Sequence, residues 1–154
     1  MMPKLPRPLV PLTLALLLAA CQGMPSRRAD LPSEMDAQTL YLQGEFGAAA
    51  DAWLQLAQAN RGERARYRLR AAEAYREEGD SASMQALVDE IDRRKLPAED
   101  QFRLDLMEAE LALGRNDADA ALALLLAPDG SLPPDRAPRF HELRARAHAA
   151  KGAT

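Results

Sequence analysis

The chain has 154 residues, 28% of them charged, a formal net charge of −3 and a single cysteine, Cys21. Arginine and glutamate are interspersed without a long block of one sign, which speaks against the basic footprint of a nucleic-acid-binding protein. No cysteine follows Cys21, which excludes a disulfide framework and a thiolate zinc site from the body, so packing must hold what folds as one domain of ordinary size.

At the amino terminus Lys4 and Arg7 precede an apolar run from about Leu9 to Ala20, too short to span a bilayer and of export-signal length. The run ends in Leu18-Ala19-Ala20-Cys21. This tetrapeptide resembles the lipobox of bacterial lipoproteins, in which the cysteine sulfur receives a diacylglycerol, the signal is cut before it and the new amino terminus is acylated. The resemblance makes residues 1–20 a removed signal peptide and Cys21 the lipidation site, and it accounts for a lone exported thiol. No later run approaches the roughly 20 apolar residues that cross a membrane, so association rests on the lipid, and three acyl chains are more than a stable anchor needs. Gln22 stands where lipoproteins kept at the inner membrane of Gram-negative bacteria typically have aspartate, which implies the outer membrane, with the body facing the periplasm.

Residues 21–32 include Gly23, Pro25, Ser26 and Pro32 without apolar periodicity and read as a flexible tether, with a reach of roughly 40 Å at full extension. The folded body is expected over 33–154, beginning where Ser33-Glu34-Met35-Asp36 resembles a helix N-cap with an acid at N3. Beyond it Ala, Leu, Arg, Glu and Gln dominate and strand formers are few, so the expected class is all-α.

The helices come as a repeat. Turn residues recur at Gly44, Gly79, Asn116 and Gly152, spaced 35, 37 and 36 apart. Each follows an Ala-rich helical segment and the first three precede another, which predicts helical hairpins closed by left-handed turn residues, for which glycine and then asparagine are best suited. Such a period reads as a solenoid, here of about three and a half hairpins. The second helices carry the apolar stripes Phe46, Ala49, Ala50, Trp53, Ala57 and Met84, Leu87, Val88, Ile91. The first helices carry Ala65, Leu69, Ala72, Tyr75; Phe102, Leu106, Ala109, Leu113; and Phe140, Leu143, Ala147, Ala150. Alternating alanine with leucine or an aromatic lets neighbouring helices approach closely. The units are separated at Asn60-Arg61-Gly62, at Leu96-Pro97-Ala98 and by a loop from Ala127 to Pro138. Gly44-Glu45-Phe46 through Trp53, and Ala74-Tyr75 leading to Gly79-Asp80, resemble the middle of a tetratricopeptide repeat. Thr154 falls two residues after the fourth turn position, so the helical domain is expected to be truncated at its C-terminus.

No catalytic constellation is expected. His141 and His148 are seven apart, not the three or four that helix-borne metal ligands need. Glu108 and Glu110 are two apart, so they do not face each other on a helix, and they read as solvated. No nucleophile elbow, phosphate loop or H-E-x-x-H occurs. No cofactor, metal or small-molecule substrate is implied. Arg64, Arg66, Arg68 and Arg70 alternate along one helix, and Arg93-Arg94-Lys95 close the second hairpin, where cations suit a helix C-terminus. Both sets read as solvated surface, with binding of anionic headgroups or an acidic partner as the other reading. Trp53 and Tyr75 read as packing residues, and no partner-binding residue is singled out.

Four stretches carry a further resemblance: the lipobox; Ala65-Arg66-Tyr67-Arg68-Leu69-Arg70-Ala71-Ala72-Glu73-Ala74-Tyr75 leading to Gly79-Asp80; Glu108–Leu113; and Arg139–Ala147. They are similar to the amino-terminal part of the LpoA family, lipoprotein activators of class A penicillin-binding proteins. Members join a tetratricopeptide-like domain to a larger α/β domain, sit in the outer membrane and stimulate a peptidoglycan synthase of the inner membrane, chiefly through that second domain, which this chain lacks. The resemblance implies an anchor and helical spacer in a regulator that acts by contact and not by catalysis. The alternative is a self-contained tetratricopeptide-like scaffold lipoprotein serving another envelope assembly.

Overall fold

The computed structural model describes residues 31–126 and 132–152, all within one compact unit. The signal segment 1–20, Cys21 and the tether up to residue 30 lie outside the described residues. Among those described the architecture is all-helical: α1 (Glu34–Leu42), α2 (Phe46–Ala59), α3 (Arg64–Glu78), α4 (Ser81–Asp89), a 3-10 helix (Arg93–Lys95), α5 (Ala98–Gly114), α6 (Ala118–Leu124) and α7 (Ala137–Gly152). Each helix packs on the next, α3 packs on α5 and α5 on α7, which is the stacking of a hairpin solenoid.

The first helix starts as its sequence requires. Ser33 accepts from the Asp36 amide at 3.1 Å while its own amide donates to the Asp36 carboxylate at 2.8 Å, a complete capping box.

The three hairpins α1–α2, α3–α4 and α5–α6 close in the same way. Gly44, Gly79 and Asn116 have φ of 81°, 85° and 60°. The amide after each turn residue reaches back to a carbonyl near the end of the preceding helix: Glu45 to Leu40 (3.0 Å), Asp80 to Tyr75 (2.9 Å) and Asp117 to Ala112 (2.9 Å). These are Schellman closures, and they satisfy carbonyls that a helix end would otherwise leave open. In the second and third hairpins the residue after the turn also caps the next helix, Asp80 accepting from Ser83 N (3.0 Å) and Asp117 from Ala120 N (2.9 Å).

Counted from those turns, burial repeats. Seven residues before them stand Ala37, Ala72 and Ala109, each fully buried, and nine after them stand Trp53, Val88 and Leu125, at most 5% exposed. The small residue lets paired helices approach and the large one fills the gap between hairpins. Three core clusters result. One joins α1, α2 and α3 around Ala37, Trp53 and Tyr67; one joins α3, α4 and α5 around Leu69, Met84 and Leu104; one joins α5, α6 and α7 around Leu106, Leu125 and Phe140. Phe140, Leu143 and Ala147 thus dock α7 on the third hairpin, as their spacing predicts.

Three local expectations are corrected. Gly152 is the last residue of α7 and has no positive φ, so no fourth left-handed turn stands there among the described residues. The second hairpin's stripe outruns its helix: α4 ends at Asp89, and Ile91 packs against the core from outside it. There Asp92 accepts from Arg94 N (3.2 Å) and caps a separate 3-10 helix, so Arg93-Arg94-Lys95 do not close α4. Pro138 belongs to α7 and not to the preceding loop, because a first-turn residue needs no amide donor.

Candidate functional site

The first helices α1, α3, α5 and α7 line a groove of about 470 Å³. Gln38 and Tyr41 come from α1, Arg70, Glu73, Arg76 and Glu77 from α3, Arg103, Leu106 and Glu110 from α5, and Arg139 from α7. Trp53 of α2 closes the floor, 4% exposed and stacked on Tyr67 at 5.8 Å between ring centroids. A second hollow continues the groove toward Glu34, Pro97 and Asp100, and Gln38, Trp53 and Arg70 line both.

One arginine per unit crosses this face to the preceding first helix. Arg66 reaches Glu34 (3.2 Å), Arg103 grips Glu73 through Nε (2.7 Å) and Nη2, and Arg139 pairs with Glu110. These arginines are 37 and 36 apart, in the period of the fold. The central pair is the buried one. Arg103 is 7% exposed and also binds Asp100 at 2.8 Å. Burial alone would lower Arg103, but the Glu73 and Asp100 carboxylates outweigh it and hold the guanidinium above its ordinary value. Sequence reasoning missed this set, although the recurrence of arginine at the repeat period was there to be read.

Arg70 is the exception. The groove's four acids each have an arginine of their own: Glu73 has Arg103, Glu77 has Arg76, Glu110 has Arg139 and Asp135 has Arg136. Arg70 approaches Glu73 only at 3.7 Å, and no described residue hydrogen-bonds to it. Burial first, and then the nearby Arg103 charge, pull Arg70 below its ordinary value.

The remaining singled-out residues are structural or scattered. Of the alternating arginines, Arg64 donates to the Ala57 carbonyl (3.3 Å) and Arg68 pairs with Glu90 (2.8 Å), so these two brace helices, whereas the Arg66 and Arg70 side chains stay 39% and 41% exposed. Glu108 and Glu110 are also corrected. They are half-buried and point to different partners, Glu108 to Arg93 (2.7 Å) and Glu110 to Arg139. Arg93 binds Asp105 (2.5 Å) besides, and burial raises both the Asp105 and the Glu108 carboxyl despite it. His141 and His148 are exposed on α7, and Tyr75 is half-buried against two clusters. Among the described residues no group of three or more His, Cys, Asp or Glu could hold a metal ion, and no helix is long and apolar enough to cross a membrane. Cys21, the expected lipidation site, lies outside the described residues.

A protein-family profile described as "LppC putative lipoprotein" matches residues 44–154. No curated protein and no solved structure matches the chain.

Proposed function

This chain belongs to the LppC lipoprotein family, and we propose that it regulates peptidoglycan synthesis by contact with a class A penicillin-binding protein. Membership agrees with the resemblance to LpoA-type activators noted in the sequence. On this reading Cys21 carries the lipid, Gln22 sends the protein to the outer membrane, residues 21–32 form the tether, and the helical body reaches into the periplasm as anchor and spacer. It does so without catalysis of its own.

The observation that carries the reading is the groove. The first helices are braced to one another by arginine pairs, and what they present is a broad polar trough over an aromatic floor. Such a surface suits a protein segment and supplies no nucleophile, base and electrophile in mutual reach. The test is photo-crosslinking in the envelope from Gln38, replaced by a photoreactive residue. An adduct with a class A synthase is expected; adducts with other envelope proteins alone would favour the scaffold alternative and overturn the proposal. Cys21→Ala should leave the outer-membrane fraction, and its retention there would remove the lipid anchor from the reading.

A further inference from the structure

We propose that Arg70 is the anchor point of the groove for a carboxylate on an extended, acidic segment of a partner protein. Charge matching leads to that occupant. Every acid of either hollow has another arginine as its partner, Arg103 serving both Glu73 and Asp100 and Arg136 both Asp135 and Glu99, so Arg70 is left with only the 3.7 Å approach to Glu73, a carboxylate already held on both oxygens by Arg103. A guanidinium presents a planar fork of donors suited to two oxygens of one carboxylate. At Arg70 the fork is 41% exposed in its side chain and faces the place where the two hollows meet. A carboxylate arriving there would relieve the repulsion between Arg70 and Arg103 without displacing an existing pair.

Size favours a peptide over a small anion. Neighbouring helix axes lie roughly 8–10 Å apart, so the three steps from α1 through α3 and α5 to α7 span about 25–30 Å. An extended chain covers that with about eight residues. Half-buried Tyr41 supplies apolar surface for the segment's side chains, and Gln38, which lines both hollows with Arg70, offers an amide that can both donate and accept. The inference rests on the contact reading above only in making the occupant a protein.

Trp53 is the chain's one tryptophan and lines both hollows together with Arg70, so its emission reports occupancy. The probe is an eight-residue Glu-Ala repeat, acetylated and amidated, titrated into the purified protein. We expect saturable change in Trp53 emission that weakens with salt, no response to the Gln-Ala counterpart, and an affinity loss of about tenfold or more in Arg70→Gln. Arg70→Lys should recover part of it, and Arg94→Gln, at an arginine off the groove, should bind as the parent does. Arg70 makes no hydrogen bond to the described protein, so the variant should fold, and an unchanged melting curve checks this. Equal binding by parent and Arg70→Gln would overturn the proposal. So would the absence of peptide binding, or an Arg70-dependent response to a soluble muropeptide alone. A synthase crosslink from Gln38 without peptide binding would sink this site and leave the contact reading standing, whereas peptide binding without that crosslink would do the reverse.

Discussion

Arg103 and Arg70 lie on facing helices of one groove, carry the same charge and have opposite fates. Arg103 is sunk between Glu73 and Asp100, with 8% of its side chain exposed against 15% and 10% for the two acids. Its donors are spent inside the protein. Removing one side of such a buried pair strands the other, which typically costs about 3–5 kcal/mol. Arg103→Met should therefore lower unfolding stability by about that amount in a denaturant titration, with two carboxylates left behind. Arg66 makes the same crossing one unit earlier, but Arg66 and Glu34 are 39% and 53% exposed, and such pairs contribute at most about 1 kcal/mol. Arg66→Met should thus cost less than Arg103→Met by several-fold, and equal costs would mean that the crossing itself, not its burial, sets the energy. The sequence shows arginine at both places with nothing to distinguish them, because burial here depends on which neighbour covers the pair. Asp100 and Arg103 are an i,i+3 pair on α5, and only the fold brings Glu73 across to close the pair off from solvent.

At the scale of the element, the turns were the legible part. Gly44, Gly79 and Asn116 could be read from the chain because a left-handed closure restricts the residue types that can stand there, and all three take positive φ. Gly79→Ala meets no atom within 4 Å, so its cost is conformational alone, and a loss of about 1–2 kcal/mol is expected in thermal unfolding. Asn116→Gly should move the other way by less than about 1 kcal/mol, since asparagine already tolerates that region. Gly152 misled for the converse reason. A glycine at the right spacing permits a turn without requiring one. Helix ends at caps were less legible. The periodic stripe through Ile91 suggested that α4 continues, but Asp92 offers the backbone a competing acceptor and the chain turns.

The caps also carry a pH signature. Hydrogen bonds from Ser83 hold the Asp80 carboxyl below its usual value, and bonds from Ser33 do the same for Asp36. A carboxyl lowered by folding stabilises above its unfolded pKa, and that contribution is lost as pH falls through the folded one. Asp105 and Glu108 are raised by burial, so they act in the opposite sense and lose their contribution as pH rises through their folded values. Asp80→Asn keeps an oxygen for the Ser83 amide but cannot titrate. Between about pH 5 and 2 its melting temperature should fall less than that of the parent. A parallel fall in the two proteins would mean that the Asp80 cap does not contribute to acid sensitivity.

Across the whole molecule, stability should follow position in the stack. From the second hairpin on, the first helices α3, α5 and α7 have 15, 17 and 16 residues and the second helices α4 and α6 have 9 and 7, whereas in the first hairpin α1 has 9 and α2 has 14. Helices shorter than about 12–15 residues are marginal alone, so the short second helices persist only while long first helices flank them. Hydrophobic phase marked the individual helices in the sequence, since each stripe is local to one helix, but not their unequal lengths. The arginine crossings were hidden from the same reading, because they link residues 29 to 32 apart and depend on which helix faces line the groove. In a stack with nearest-neighbour coupling, a unit bounded on both sides opens last. α3 is packed by α2, α4 and α5, and α5 by α3, α4, α6 and α7, whereas α1 packs chiefly on α2. Hydrogen exchange under native conditions should therefore show the amides of α3 and α5 as the slowest, exchanging together because the Glu73–Arg103 pair ties them. The amides of α1 should exchange earlier, held chiefly by α2, by the Tyr67 hydroxyl donating to Glu34 (2.5 Å) and by an exposed Glu34–Arg66 pair. If Arg103→Met is introduced, α3 and α5 should lose their common rate and separate, with α5 held to α7 through Phe102 and Phe140 at 6.1 Å. A uniform acceleration of both helices instead would show that apolar packing alone couples the central units, and that the buried ion pair serves the shape of the groove more than the cohesion of the stack.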